Sequence, residues 1–412
     1  MILSRLGDWA RAHQLELGLF VACYLVLALF SGPRFFKQSA APHFIYQGRA
    51  WLAGQLHLEV DPPDQEDWAR KGDRFYVSFP PFPAVAMLPF VALFGYQFVD
   101  TSFTVFFGAL NVLLFFLLLE RLSRTGDSPR SRRENLIFAL LLGFGTVHFY
   151  ASIRGEVWFT AQTMGVTLCI LYLYLAHQAR RPFLAGLVLA CASLTRTPLA
   201  FAFVFFLFEL LFPDGRFDRD VLGARLKDTL KRGLLFAAPL VAFAAVMMWM
   251  NWVRFESPLE FGHSHLWNNR VNAWVSRYGL FHPHYLQQNL KAAFFALPTF
   301  SAKPFNVGFD GHGMSIFLTT PLFLLLLWPR RRARLSKALW ASVAVVALPA
   351  LLYQNDGYFQ FGYRFSLDWT PFLFVLLAVG ARRMDWPFRI FAAVSLYMGI
   401  WGALYFSGGW LS

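Results

Sequence analysis

Long apolar stretches recur along the chain and are separated by shorter polar or charged loops. Most of them approach the length that a helix needs to cross about 30 Å of hydrocarbon. The candidate segments run at roughly 15–32, 81–98, 100–120, 135–153, 157–177, 183–195, 197–213, 233–253, 315–329, 338–353, 366–380 and 388–406. This pattern predicts an all-α fold, a polytopic bundle of transmembrane helices.

The 81–98 segment is the exception among these candidates. If it crossed the bilayer, the arginine-rich loops that follow it would lie opposite Arg5 and Arg11, against the positive-inside rule. Four prolines between Pro80 and Pro89 also discourage a regular crossing helix, because each removes a backbone donor. We therefore predict a re-entrant or interfacial helix here, and about eleven spans with the N-terminus in the cytoplasm.

Eleven spans place the polar segments of the chain in one compartment. We predict a single integral-membrane domain over 1–412, with a first outer loop at 31–98 that carries juxtamembrane helices. A second large outer loop is predicted at 254–314, and the 354–364 segment falls on the same face. The expected location is a bacterial inner membrane with the active site on its outer face.

Composition and charge agree with this topology. Hydrophobic residues make up 57% of the 412 residues, aromatic residues 18% and charged residues only 15%, which is typical of a helical membrane protein. The net charge of +13 is therefore the bias that orients spans, and it does not indicate nucleic-acid binding. Cys23, Cys169 and Cys191 lie inside apolar segments, so we interpret them as packing residues.

Three arginines stand at predicted ends of spans on the outer face. Arg364 lies in DGYFQFGYRFSLDWTP, Arg154 precedes Glu156 in SIRGEVWFTAQ, and Arg196 lies in LTRTP. An arginine at membrane level is costly without an anion, and a guanidinium binds phosphate through two parallel hydrogen bonds. We expect these arginines, with Tyr363, to bind a lipid phosphate. Snorkelling of Arg364 to headgroups and an ion pair of Arg154 with Glu156 are the alternatives.

The order of these segments resembles the GT-C class of integral-membrane glycosyltransferases, near the protein mannosyltransferase and aminoarabinose transferase branch. The matching parts are the first span, the long outer loop, and the FPPFP, RGEVWFTAQ and LTRTP phrases, over most of the first two-thirds of the chain. The resemblance implies a GT-C fold and a polyprenyl-phosphate-linked sugar as donor. The expected partners are membrane lipid and an unidentified glycan, lipid or protein acceptor. We expect a single displacement with inversion at the anomeric carbon.

The sequence departs from that class where its catalytic base is expected. The class carries an aspartate just after the first span, whereas this chain reads APHFIYQGRAWL, with His43 near that position. Either His43 is the base, or an acid of the turn with Asp61, Asp64 and Asp67 is, or the protein is not a catalyst of the usual kind. Glu156 matches an acidic position of the class and is the remaining predicted catalytic residue.

The second outer loop is rich in histidine. Its histidines are His263, His265, His282, His284 and His312. The two His-x-His pairs could bind a metal on extended strands, but neither has a carboxylate at an obvious ligand spacing, so structural or acceptor-contacting roles are the alternative. A divalent ion, Mg²⁺ or Mn²⁺, is an open expectation.

Two other functions fit the same sequence. A transporter or flippase of a lipid-linked saccharide would need alternating access, which internal repeats usually accompany; no matching halves are evident in the hydropathy. A non-catalytic relative that binds polyprenyl phosphate fits the missing first-loop aspartate. Turnover of a polyprenyl-phosphate sugar separates the enzyme from both.

Overall fold

The computed structural model describes residues 13–64, 66–215, 223, 225–267, 269–300, 307–308 and 311–406. The chain is 70% helical. The α-helices are α1 (Gln14–Ser31), α2 (His43–Leu52), α3 (Phe82–Phe94), α4 (Asp100–Arg124), α5 (Arg132–Phe144), α6 (His148–Ser152), α7 (Val157–Ala176), α8 (Pro182–Ser193), α9 (Phe203–Leu211), α10 (Leu226–Phe255), α11 (Asn269–Tyr278), α12 (Leu286–Leu290), α13 (Ile316–Thr319), α14 (Ser336–Leu352), α15 (Thr370–Val379) and α16 (Trp386–Phe406).

Short turns of tighter or wider helix join these elements, and two small hairpins accompany them. The 3₁₀ turns are Gly32–Phe36, Gly95–Gln97, His177–Ala179, Thr197–Ala202, His263–His265, Pro283–Tyr285, Pro321–Leu327 and Arg364–Asp368, and a π turn covers Lys291–Phe295. The strands are β1 (Trp68–Lys71), β2 (Arg74–Val77), β3 (Thr299–Phe300) and β4 (Val307–Gly308). β1 pairs antiparallel with β2, and β3 with β4.

The predicted fold class is confirmed: the protein is a multi-pass, all-α integral membrane protein. Within the described part of the chain, five helices are long and apolar enough to cross a bilayer, among them α4, α7 and the 30-residue α10. Several predicted spans are instead broken, as at 135–153, where α5 ends and α6 begins. The count of eleven spans stays a prediction.

α4 and α7 form the centre of the bundle. Phe115 on α4 and Tyr172 on α7 are fully buried in one continuous apolar core. α1 packs against α4, and α8 packs against both α7 and α10. The close approach of α8 to α10 depends on Gly186, because a Cβ at this position would overlap the carbonyl of Phe236.

The first outer loop folds back onto the start of α4. The side chain of Asp100 accepts hydrogen bonds from the backbone N–H and the hydroxyl of Ser39, at 2.8 and 2.6 Å. One of the helices in this loop, α2, begins at His43 and ends at Leu52. The segment predicted to be re-entrant contains α3, which spans only 13 residues, or about 20 Å, and packs on α2.

Ionic groups gather at the opposite end of α4 and α7. Arg334 binds Asp127 at 2.8 Å and Glu209 at 2.6 Å, and Asp127 also contacts His177 at 2.7 Å. His177 directly follows α7, whereas Glu156 directly precedes it. α7 has 20 residues, so these two ends lie about 30 Å apart. Arg5 and Arg11, on which the predicted orientation depends, lie outside the described residues.

Candidate functional site

A cavity of about 1060 Å³ lies at the end of the bundle where α7 begins. Its wall comes from four parts of the chain that are distant in sequence. These are Glu66 and Asp67 of the first outer loop, the 154–159 segment, the second outer loop between Trp274 and His312, and the 354–364 segment. The polar segments that hydropathy assigned to one face therefore meet at one cavity.

Arg364 lines this cavity, and no carboxylate of the described residues pairs with it. Its side chain is 4% exposed, and its Nε donates to the carbonyl of Gly357 at 2.9 Å. Its two terminal nitrogens make no hydrogen bond within the described residues, and the guanidinium lies over the rings of Phe159 and Phe365. Burial lowers the pKa of Arg364 to about 10, so it is still cationic at neutral pH. A buried cation without a counter-ion attracts an anion.

Arg154 also lines the cavity and is paired with Glu156. Its Nη2 lies 2.6 Å from Oε1, and its Nε lies 3.2 Å from both carboxylate oxygens. Burial would raise the pKa of Glu156, but the Arg154 guanidinium outweighs burial and holds this pKa below its usual value. The ion pair foreseen as an alternative is therefore present. Arg154 lies over the same Phe159 ring as Arg364.

Arg196 and Tyr363 lie next to the cavity but do not line it. Arg196 binds the buried Asp368 through two hydrogen bonds, at 3.0 and 2.8 Å, and lies over Phe365, the ring that also contacts Arg364. The Tyr363 hydroxyl donates to Oδ1 of Asn289 at 3.2 Å. The predicted arginines are thus neighbours across two phenyl rings, and of the three, Arg154 and Arg364 reach the cavity.

His43, the predicted first-loop base, is fully buried. Its ring stacks on Trp68 at 3.7 Å between centroids, and its Nε2 lies 3.0 Å from the carbonyl oxygen of Glu66. Burial lowers the pKa of His43, which favours the neutral ring. His43 is not among the residues that line the cavity, so its catalytic role stays a prediction.

The predicted first-loop acids have different surroundings. Asp61 is exposed and lies away from the cavity wall. Asp64 accepts hydrogen bonds from the backbone of Glu66 and from Nε1 of Trp68, at 2.8 and 2.9 Å, and so shapes the turn. Asp67 lines the cavity, and its Oδ2 accepts a hydrogen bond from Nε1 of Trp158 at 2.9 Å.

Sequence reasoning missed a second polar group on the cavity wall. Nδ1 of His312 lies 2.6 Å from Oδ2 of Asp356, and Gln288 donates to the same oxygen at 2.8 Å. His312 had been grouped with the loop histidines, and Asp356 opens the stretch that holds Arg364. The two residues are 44 positions apart, and no spacing rule links them.

The described residues offer no evident metal site. In that part of the chain, no group of three or more His, Cys, Asp or Glu side chains is arranged to hold a metal ion. The expected Mg²⁺ or Mn²⁺ would therefore lack a protein donor set there. The metal stays a prediction, and no step below depends on it.

Solved structures with a similar fold are membrane glycosyltransferases. The apo oligosaccharyltransferase of Archaeoglobus fulgidus matches 95% of this chain and 55% of its own length, with 15% identity and a TM-score of 0.52. ArnT from Cupriavidus metallidurans, bound to undecaprenyl phosphate, matches 90% and 60%, with 13% identity and a TM-score of 0.50. AglB of Archaeoglobus fulgidus, with an inhibitory peptide and a dolichol-phosphate, matches 97% and 56%, with 14% identity and a TM-score of 0.50.

These similarities confirm the GT-C fold that the sequence resemblance implied. No protein-family model matches the sequence, and no curated protein is significantly similar to it. The chain spans little more than half the length of the structures it resembles. At this level of identity the likeness is one of fold, and the chemistry must be argued from the cavity.

Proposed function

We propose that this chain, which has the GT-C fold, transfers a sugar from a polyprenyl-phosphate carrier to an acceptor in the cavity at the start of α7. The observation that carries the proposal is Arg364, a buried cation on the cavity wall with no carboxylate partner in the described part of the chain. A phosphate supplies the anion that such a guanidinium binds, through two charge-assisted hydrogen bonds.

Two further observations support a lipid-linked sugar as the ligand of this cavity. A volume of about 1060 Å³ is large enough for a phosphorylated sugar and part of an acceptor, since small-ligand pockets usually measure roughly 300–1,000 Å³. In addition, ArnT is bound to undecaprenyl phosphate and AglB to a dolichol-phosphate. The cavity belongs, in this proposal, to the outer face of a bacterial inner membrane.

The expected reaction is a single displacement at the anomeric carbon. Arg364, with Arg154 beside it, stabilises the negative charge that grows on the departing phosphate. The phosphate is already a good leaving group, so the protein mainly has to orient the reactants and neutralise charge. The acceptor must lose a proton to a side chain of the cavity wall. Asp67 is the predicted first-loop acid that meets this condition.

Replacing Arg364 tests the phosphate site directly. We expect Arg364→Ala and Arg364→Lys both to weaken binding of undecaprenyl phosphate to the purified protein by at least about tenfold, because each lost charge-assisted hydrogen bond is worth roughly 1.5–3 kcal/mol. Lysine should not restore affinity, since an ammonium lacks the two parallel donors of a guanidinium. Release of undecaprenyl phosphate from undecaprenyl-phosphate-linked hexoses in native membranes should slow in parallel.

Arg254→Lys is the matched control. Arg254 is equally buried and lies over Phe255, but its terminal nitrogens bind Val77 and Asn251 away from the cavity. Its substitution should leave the affinity for undecaprenyl phosphate unchanged. Parental affinity in Arg364→Lys would refute the phosphate site. Binding without turnover in the parent protein would instead favour the flippase or the non-catalytic relative.

A further inference from the structure

The cavity wall carries a histidine–carboxylate pair that the phosphate site proposed above does not include. Nδ1 of His312 lies 2.6 Å from Oδ2 of Asp356. The His312 side chain is 47% exposed, whereas that of Asp356 is 2% exposed. Both residues line the cavity. The ring is therefore accessible to a ligand, and its carboxylate partner is held behind it.

The position of Asp356 favours one tautomer of the neutral His312 ring. A carboxylate only accepts hydrogen bonds, so Nδ1 carries the hydrogen that Asp356 receives. Gln288 donates to the same Asp356 oxygen at 2.8 Å and helps to hold the carboxylate in place. In the neutral ring Nε2 then has the lone pair, which makes it the nitrogen that can take up a proton.

A second histidine–carboxylate pair in this protein has a different environment, which is typical of a structural role. His177 contacts Asp127 at 2.7 Å at the other end of α7. The His177 ring is fully buried, and Arg334 binds the same carboxylate through two nitrogens. His312 differs because half of its side chain is accessible and faces a cavity.

Gln360 links this pair to the phosphate-binding arginine. It is fully buried, and its Nε2 donates to the carbonyl oxygens of His312 and Asp356, at 2.8 and 2.6 Å. Its Oε1 accepts the backbone N–H of Arg364 at 2.8 Å. One side chain thus fixes the backbone of all three residues, so the separation between the histidine and the guanidinium is set by rigid structure.

We infer that His312, oriented by Asp356, is the general base that deprotonates a hydroxyl acceptor. This inference rests on the proposed function. The acceptor oxygen bonds to the anomeric carbon while the bond from that carbon to the phosphate oxygen breaks. The bonding pair leaves with the polyprenyl phosphate, which Arg364 holds, and the acceptor proton moves to Nε2 of His312. Asp356, a positioning residue, stabilises the imidazolium, which then releases the proton to water.

Asp67, which also lines the cavity, is the competing base. An ordinary imidazole has a pKa of about 6.5 and an ordinary aspartate about 3.9, so imidazole is intrinsically the stronger base. Proton transfer is most efficient from a base whose pKa lies near the working pH. One oxygen of Asp67 also accepts a hydrogen bond from Trp158, whereas the His312 ring is oriented by the carboxylate of Asp356.

The test compares His312→Ala and Asp67→Asn in release of undecaprenyl phosphate from undecaprenyl-phosphate-linked hexoses in native membranes. We expect His312→Ala to lower the rate at least about 100-fold, because general bases contribute roughly 10²–10⁴-fold. Added imidazole should restore part of this loss in His312→Ala and none in His312→Gln, whose side chain fills the space.

Asp356→Asn should lower kcat with little change in KM for the donor. His282→Gln, an exposed histidine outside the cavity wall, should match the parent.

Binding of undecaprenyl phosphate separates the two proposals. His312→Ala should bind it as the parent does, because Arg364 is intact. If the parent turns over and His312→Ala keeps its rate, the base assignment is overturned while the phosphate site stands. The base assignment is also overturned, and the phosphate site again stands, if Asp67→Asn abolishes turnover and imidazole restores no activity in His312→Ala. If the parent binds the lipid phosphate and releases none from any donor, the proposed function fails and the base assignment fails with it.

Discussion

The arginines near the cavity differ in how their charge is balanced, and this difference decides what each can do. Asp368 neutralises Arg196, and Glu156 neutralises Arg154. Arg364 has no such partner in the part of the chain that the structure describes. In the proposed site, a phosphate would therefore gain most from Arg364, and Arg154 would contribute mainly oriented donors whose position depends on Glu156.

Glu156→Gln tests this dependence. We expect transfer to fall about tenfold, or about 1.4 kcal/mol of transition-state stabilisation, because Arg154 loses the two carboxylate oxygens that orient it. Affinity for undecaprenyl phosphate should not fall, since the substitution leaves the cavity more positive. The measurements are the rate of undecaprenyl phosphate release and its binding to the purified protein.

Glu59→Gln is the control for loss of an ion pair in the same part of the protein. Glu59 pairs with Arg49 at 3.3 Å in the first outer loop, away from the cavity wall, and its loss should leave transfer unchanged. A parental rate in Glu156→Gln would assign Glu156 to a purely structural pair.

At this scale the sequence predicts which arginines lie at or near the cavity better than it predicts all of their partners. A lone arginine in an apolar context is conspicuous, so Arg154, Arg196 and Arg364 could each be selected from the sequence. Glu156, two positions from Arg154, could also be selected as its partner. The partner of Arg196 could not, because Asp368 lies 172 positions from it. The surroundings of His43 could not be predicted for a related reason, since nothing local reveals that Trp68 covers it.

Among the elements, the 354–364 segment does most to position the site. It carries Asp356 and Arg364, and Gln360 holds the two in one arrangement. Gly357 makes this packing possible, because it has a positive φ of 96° and a Cβ there would lie 2.6 Å from Oε1 of Gln360. The segment is therefore a preorganised loop in which one glycine permits a close contact.

Gly357→Ala should displace Gln360 and, through it, Arg364. We expect weaker binding of undecaprenyl phosphate and a lower melting temperature, since a strained backbone costs on the order of 1–3 kcal/mol and the Cβ adds a clash. Gly279→Ala is the control: it also has a positive φ, of 74°, but nothing lies near its Cβ. It should cost stability alone. Equal affinities in the two variants would show that the loop does not fix Arg364.

Hydropathy predicts helices well and the outer loops poorly, for a physical reason. Helices in a bilayer must satisfy their own backbone hydrogen bonds, so a local apolar run is enough to predict α4 or α7. The outer segments satisfy theirs through distant partners, as where Asp100 binds Ser39 or the backbone N–H of Tyr363 donates to the carbonyl of Met314. Such contacts have no period in the sequence.

The two ends of the molecule both carry charged side chains, but these charges are balanced differently. At one end, Arg334, Asp127, Glu209 and His177 form a closed ionic network. At the other end, Arg364 lines the cavity, and none of the carboxylates that the structure describes forms an ion pair with it. The arginine-rich loops accompany the closed network, as the positive-inside rule predicts for a cytoplasmic face. In the proposed orientation, the open cavity lies on the outer face, where a lipid-linked donor and its acceptor would meet.

Cysteine labelling of intact cells tests this orientation, provided that the labelled positions are exposed. Ser128 is unsuitable, because it is only 3% exposed and a cysteine there would be shielded on either side. Ser276 on α11 and Arg332 near the ionic network are both exposed. We expect a membrane-impermeant maleimide to label Ser276→Cys in intact cells and Arg332→Cys only after permeabilisation.

The parent protein is the control for this labelling, since Cys23 and Cys169 are buried and Cys191 is half-buried. The opposite labelling pattern would put the cavity in the cytoplasm, against the outer-face proposal. Labelling of both cysteines in intact cells would mean that the two ends of α7 face the same compartment. That result is incompatible with a helix of 20 residues crossing the bilayer, and it would overturn the topology on which the outer-face site depends.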